Sequence, residues 1–314
     1  MELYKNRSFG AMFQGTFSFL KQEGKHFFKQ YFIINGIFLL ILSVMGYFFS
    51  QFYTEFFKSS IGINGSGSSS FENYINDNLG SFFIFLFLFI ILALISGIVA
   101  YAFPPIYFQN YLEKGSGNFD TKDLINSYKK NFGKLLIFII TGILVAILLA
   151  LPVMALVFVL FITIIGIILS PLVLGGIMLF YTMALMEYLQ GKRGVWDSFG
   201  YSWTLLKSNF FAAVACVGLF YLISYTIQQV LTLIPYFLGL FSIFTSTEQG
   251  QLDPGETAST MMFMIMAVFF VSFIVGSILG TVVQVNQGII FYSLKEKNEN
   301  IQTKSVIDQI GVSE

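Results

Sequence analysis

Charge is what this sequence has least of. Only 11% of its 314 residues are Asp, Glu, Lys or Arg, against about 25% in a typical soluble domain. Acidic and basic residues balance at 17 each, so no net field recommends nucleic acid as a partner. Cysteine occurs once, at Cys216, which excludes an intramolecular disulfide and reads as a small packed residue. Histidine also occurs once, at His26, with no second His or Cys to share a metal. The GxSxG, HExxH, P-loop and CxxC patterns are all missing, and no cofactor or catalytic residue is expected. The first thirty residues lack a short apolar core followed by a small-residue cleavage site, so they read as part of the mature fold.

What the chain has is apolar surface. It is 56% hydrophobic, carries 39 Phe, and has a mean hydropathy of +0.76. No soluble core of this size hides so much, so the expected solvent is lipid. Spans of roughly 20 apolar residues are expected at about 30–52, 81–111, 210–233 and 260–294. Between Leu135 and Met186 there is no charged residue. That length is roughly 78 Å if helical, so it holds two spans, with the reversal placed at 161–170. Six spans put both termini on one side. Every Lys and Arg except Lys58 falls on that side, which the positive-inside rule makes cytoplasmic. The opposite loops are Gly62–Ser70, a Gly/Ser linker containing an Asn64-Gly-Ser acceptor pattern, and the polar turn Thr245–Thr257.

The polar segments on the cytoplasmic side resemble one another. Ser8-Phe9-Gly10 matches Ser198-Phe199-Gly200. Phe17-Ser18-Phe19, Asn126-Ser127-Tyr128 and Tyr201-Ser202-Trp203 each place a Ser before an aromatic, and a span begins soon after each. Phe119-Asp120 and Trp196-Asp197 recur at equal spacing after Tyr111 and Tyr188. A parallel repeat is therefore expected in units of about 5–112, 119–190 and 195–294, with a fourth start at about 302–310. The expected fold is all-α: six transmembrane helices as three pairs in one membrane domain, each pair preceded by an amphipathic helix lying in the interface. The apolar stripes of those helices are read as Phe9, Phe13, Phe17, Leu20; then Leu124, Tyr128, Phe132, Leu135; then Phe199, Trp203, Leu206, Phe210. Trp196, Trp203, Lys207, Tyr128, Lys129 and Lys130 are the candidate lipid contacts, because amphipathic rings and lysines suit headgroup depth. The plainer reading is that these helices brace the bundle.

Inside the spans the polarity is neutral. Gln228, Gln229, Gln284, Asn286 and Gln287 either glue helices together or line a polar path for a lipid or small uncharged solute. Glu187 sits at the end of the fourth span, where snorkelling or pairing with Lys192 or Arg193 is expected. Ser272, Gly276, Gly280 and Gly142, Ala146, Ala150 form small-residue ridges suited to close packing.

The segment WDSFGYSWTLLKSNFFAAVACVGLFYLI, residues 196–223, resembles the recurring element of a bacterial group of six-span proteins. That group is related to the membrane domain attached to some glycerophosphodiester phosphodiesterases. The resemblance implies a bacterial cytoplasmic membrane protein. It implies no hydrolase activity, because the acidic metal-binding catalytic domain of the fused enzymes has no counterpart here. The expected function is a non-catalytic scaffold, accessory subunit or envelope-maintenance protein that contacts membrane lipid and a protein partner or second copy. A lipid or solute carrier is the alternative.

Overall fold

The computed structural model describes residues 1–60, 69–248 and 254–302. Among them the chain is all helix, in seven elements: α1 (Phe9–Ser60), α2 (Ser69–Lys114), α3 (Thr121–Phe161), α4 (Ile164–Gln190), α5 (Val195–Ser208), α6 (Phe210–Glu248) and α7 (Pro254–Glu299). All but α5 are long and apolar enough to cross a membrane, the pattern of a multi-pass membrane protein. The Gly/Ser linker with Asn64 and the expected fourth start at about 302–310 lie, apart from their edges, outside the described residues.

Helix boundaries follow local chemistry. Asp120 caps α3, accepting from the Lys122 and Asp123 amides while Asp123 returns a bond to the Asp120 amide. Thr163 caps α4 through the Gly166 amide, so the third and fourth spans reverse at Ile162–Thr163. Gly191 ends α4 at φ 76°, a left-handed turn that glycine tolerates. Pro104, Pro105, Pro152, Pro171 and Pro235 all lie inside helices. Pro235 therefore does not end the fifth span, which continues to Glu248. Helix also extends into both expected outer loops, to Ser60, from Ser69 and from Pro254.

The expected separate interfacial helices are corrected in two of three cases. The first and second amphipathic segments run unbroken into their spans within α1 and α3, and only the third, α5, is a helix of its own. Helix continues through Asn131, whose side-chain amide donates to the Ser127 carbonyl one turn back. Asn209 is preceded by Ser208, whose hydroxyl takes the Leu205 carbonyl, and Asn209 leaves the helix at φ −156°, ψ 51°.

The chain divides into two compact units. One comprises Met1–Ile34, Ala100–Ser224 and Gly280–Glu314; the other comprises Asn35–Val99 and Tyr225–Leu279. The first holds a ring-on-ring core, with Phe19, Phe27, Phe103, Tyr107 and Phe108 all buried. Phe19 and Phe108 have centroids 5.0 Å apart, and Phe138 stacks on Phe199 at 5.2 Å and 9°. Helices α4 and α6 approach closely at Gly175, where a Cβ would lie 3.4 Å from the Gly218 backbone. The expected ridge at Gly142 is used in part: the Tyr181 hydroxyl donates to the Gly142 carbonyl at 3.1 Å, while Ala146 faces outward. In the second unit, Phe49 lies between Phe85 and Phe89, and Gly46 meets the Phe269 ring. Gln228 donates to the Ser272 carbonyl there, against Gly276.

Candidate functional site

The rows that the amphipathic segments bury run beside the apolar stripes rather than along them. On α1 the inward row is Met12, Thr16, Phe19, Glu23 and Phe27, while Phe9 and Phe17 face out. On α3 it is Leu124, Asn131, Leu135 and Phe138, with Phe132 outward. On α5 it is Ser198, Phe199, Ser202, Leu205 and Leu206. The expected single stripe is thus split, with Phe199 and Leu206 inward and Trp203 and Phe210 outward. Small hydroxyls face the neighbours because they let α5 approach closely and bond backbone: Ser202 donates to the Phe180 carbonyl at 2.6 Å.

Behind α5 lies a buried cluster of charge. Glu187 near the end of α4 and Lys295 on α7 are both fully buried, with Nζ 2.5 Å from Oε2. Lys295 also donates to Gln190 Oε1 at 2.6 Å. Arg193 donates to Glu187 Oε1 at 3.0 Å, stands 3.6 Å from Glu299, and stacks over the Tyr201 ring at 4.0 Å. The Tyr201 hydroxyl donates to Glu299. Burial opposes charge on Arg193, but Glu187 beside it outweighs this and holds the guanidinium above its ordinary pKa. Burial, then the bond to Glu299, pushes the Tyr201 phenol up. Two anions and two cations thus neutralise one another, joining α4, α5 and α7. Glu187 does pair with Arg193, but it does not snorkel: its main partner is Lys295, a residue the sequence places beyond the sixth span.

The N-terminal segment closes over this cluster. Tyr4 packs edge-on against Tyr292 at 5.0 Å, and burial pushes its phenol up to about 12. Arg7 is buried and donates to the carbonyls of Glu2, Leu3 and Lys5, while its amide donates to Ser293. The guanidinium fork holds the segment in a tight coil. Beside it, His26 Nε2 lies 3.0 Å from the Phe119 carbonyl and Nδ1 lies 2.8 Å from the Tyr107 hydroxyl. The Phe119 carbonyl accepts from Nε2, and the Gln30 side chain lies 3.3 Å from the same nitrogen. The lone histidine ties α1 to α2 and to the loop before α3.

Gln228 and Gln229 belong to one unit, and Gln284, Asn286 and Gln287 to the other. Asn286 and Gln287 are buried and point to different neighbours. Asn286 donates to Thr16, with Cys216 at 3.5 Å. Gln287 accepts from Thr182, whose hydroxyl also meets Tyr101. Asn286 Oδ1 and Gln287 Nε2 are buried with no hydrogen-bond partner. Gln284 is half-buried and Gln229 exposed. Among the described residues, no three His, Cys, Asp or Glu side chains gather as a metal site would require.

Five of the six candidate lipid contacts face outward. Trp196 and Trp203, the chain's two tryptophans, are 56% and 47% exposed on one face of α5. Lys207 follows on that face with Nζ 4.9 Å over the Trp203 ring. Lys129 and Lys130 are exposed, and Tyr128 is half-buried. Sequence reasoning missed Lys295, Arg7 and the depth of Glu187. The available signal was Lys295 one turn after Phe291, at the end of an uncharged run from Gly288. No protein-family model, curated protein or solved structure matches this chain.

Proposed function

We propose that this chain is a non-catalytic scaffold, accessory subunit or envelope-maintenance protein of a bacterial cytoplasmic membrane. Both termini lie on the cytoplasmic side, the three helix pairs are parallel repeats, and α5 lies in the cytoplasm-facing lipid interface. The observation that carries the reading is the Glu187–Lys295–Arg193–Glu299 cluster. Its charges are spent on each other and on fixing α5, whose tryptophan face is left outward. Such an arrangement suits holding a surface rather than transforming a substrate. Purification in mild detergent should recover a stoichiometric protein partner or a defined homo-oligomer. Recovery as a lone monomer, with no partner in stoichiometric yield, would count against it. Reporter fusions at each terminus check the orientation.

A second reading is favoured by one observation, the unpartnered buried atoms of Asn286 and Gln287. Polar atoms held without partners in an apolar bundle suit a small uncharged solute or the polar part of a lipid passing along α7. Reconstituted vesicles carrying Asn286→Leu and Gln284→Leu variants test it. Flux unchanged by these substitutions, or no flux at all, sinks the carrier reading.

A further inference from the structure

We propose that the ends of α5 and α7 form a binding site for an anionic phospholipid. Lys207 and Lys297 hold its phosphate, and its acyl chain lies on the outward rings of Trp203, Phe210 and Phe211. The proposal rests on α5 lying in the lipid interface.

Two lysines from separate helices reach the last residues of α5. Lys207 is in the last turn of α5, with Nζ over Trp203. Lys297, in the last turn of α7, reaches across to donate to the Ser208 carbonyl at 3.0 Å. The two are therefore anchored at adjacent residues of α5. Neither has a carboxylate partner among the described residues, because the nearby acids are committed elsewhere. Glu187 faces Lys295 and Arg193. Glu299 accepts from Tyr201 and lies against Arg193. Glu296 accepts from the Gln302 amide. The negative end of the α5 dipole attracts cations, but a single helix end does not cancel two whole charges.

Apolar surface begins where the lysines stop. Phe211 is 86% exposed at the start of α6, beside the outward Phe210. A free phosphate would use only the lysines. An anionic lipid uses both halves, with its phosphate on the ammoniums and its chain along the rings. Charge and shape thus favour a lipid of the surrounding leaflet over a soluble anion.

The test uses the tryptophans as reporters. The full chain carrying Trp196→Phe, so that Trp203 alone emits, is reconstituted in phosphatidylcholine vesicles with a minor fraction of phosphatidylglycerol. Bromine quencher is placed on the acyl chains of one lipid or the other. At equal mole fraction, brominated phosphatidylglycerol should be enriched at Trp203 by roughly tenfold, each lysine contributing severalfold near a charged surface. Lys207→Gln with Lys297→Gln should abolish the preference, and Lys129→Gln with Lys130→Gln should leave it intact. Equal quenching by both lipids overturns the site while leaving α5 in the interface. Quenching by neither overturns the interfacial reading as well. A preference that survives the Lys207/Lys297 double variant overturns the assignment of those residues. Loss of the preference in excess glycerol phosphate shows that soluble phosphate suffices, and overturns the lipid as the ligand.

Discussion

Replacing Lys295 by Met should be among the most damaging single changes in this protein. The side chain is fully buried, and its ammonium contacts Glu187 at 2.5 Å and Gln190 at 2.6 Å. Met keeps most of the volume, so the cavity term is small and the loss is electrostatic. Removing one partner of a buried pair leaves the other charge uncompensated, at about 3–5 kcal/mol. Glu187 keeps Arg193 at 3.0 Å, which argues for the lower end, about 3 kcal/mol. At roughly 2–4 °C per kcal/mol for a large domain, the apparent melting midpoint should fall by roughly 6–12 °C. The assay is thermal unfolding in one detergent, followed by size-exclusion fluorescence. The decisive comparison is the double variant, Lys295→Met with Glu187→Leu. It removes both buried charges and should melt above Lys295→Met alone, because apolar isosteres of a buried pair are often neutral. A midpoint unchanged by Lys295→Met refutes the reasoning. So does a double variant whose loss is the sum of the two single losses, because coupled groups are not additive.

Other parts of the fold give independent tests. A Cβ at Gly218 would overlap the Leu172 side chain and lie 3.0 Å from the Leu172 Cα. Gly218→Ala should therefore cost about 1–3 kcal/mol by overpacking, and Leu172→Ala in that background should recover only part of the lost thermal stability. Arg7→Lys should fail to replace arginine, because an ammonium cannot hold three carbonyls in the fork geometry; limited proteolysis should then cut within the first eight residues, and protection equal to wild type would contradict this. The Tyr4 phenol is raised by burial from 10.0 to about 12, so the folded state favours its neutral form. Its contribution is complete below pH 10 and is lost as pH rises towards 12. Tyr4→Phe should flatten the fall in melting midpoint across that window, and an identical slope in both proteins would count against the burial.

The six spans were legible because lipid demands a length of apolar sequence that little else demands. The reversal between the third and fourth spans falls inside the expected 161–170, where the Gly166 amide donates to the Thr163 hydroxyl that caps α4. Where each helix stops outside the apolar run was not legible. Nothing in hydropathy distinguishes an interfacial helix from the first turns of the span that follows it. The helix runs on through Asn131 in α3 and stops at Asn209 after α5. Which residues face inward was not legible for a related reason. In lipid both faces of a helix are apolar, and small polar groups also pack inward. Thr16, Asn131 and Ser202 are buried among apolar neighbours, while Phe17, Phe132 and Trp203 are exposed.

The charged cluster escaped the sequence because charge was counted by side rather than by depth. Lys295 and Glu187 each look like the first polar residue after an apolar run, the place where snorkelling is expected. Two such residues on adjacent helices at the same level have a better option than water, which is each other. Two positions matched by spacing in the sequence make the same point from their differences. Asp120 and Asp197 are equivalent by spacing, yet Asp120 caps α3 while Asp197 sits inside the first turn of α5, behind Gly194. Phe119 is buried against His26, while its counterpart Trp196 is exposed. The extra turn at the start of α5 begins just past Arg193, the residue that reaches Glu187. A helix held at its start by a buried ion pair can afford to leave its aromatic face outward. In the second segment the same aromatic position is used for packing instead.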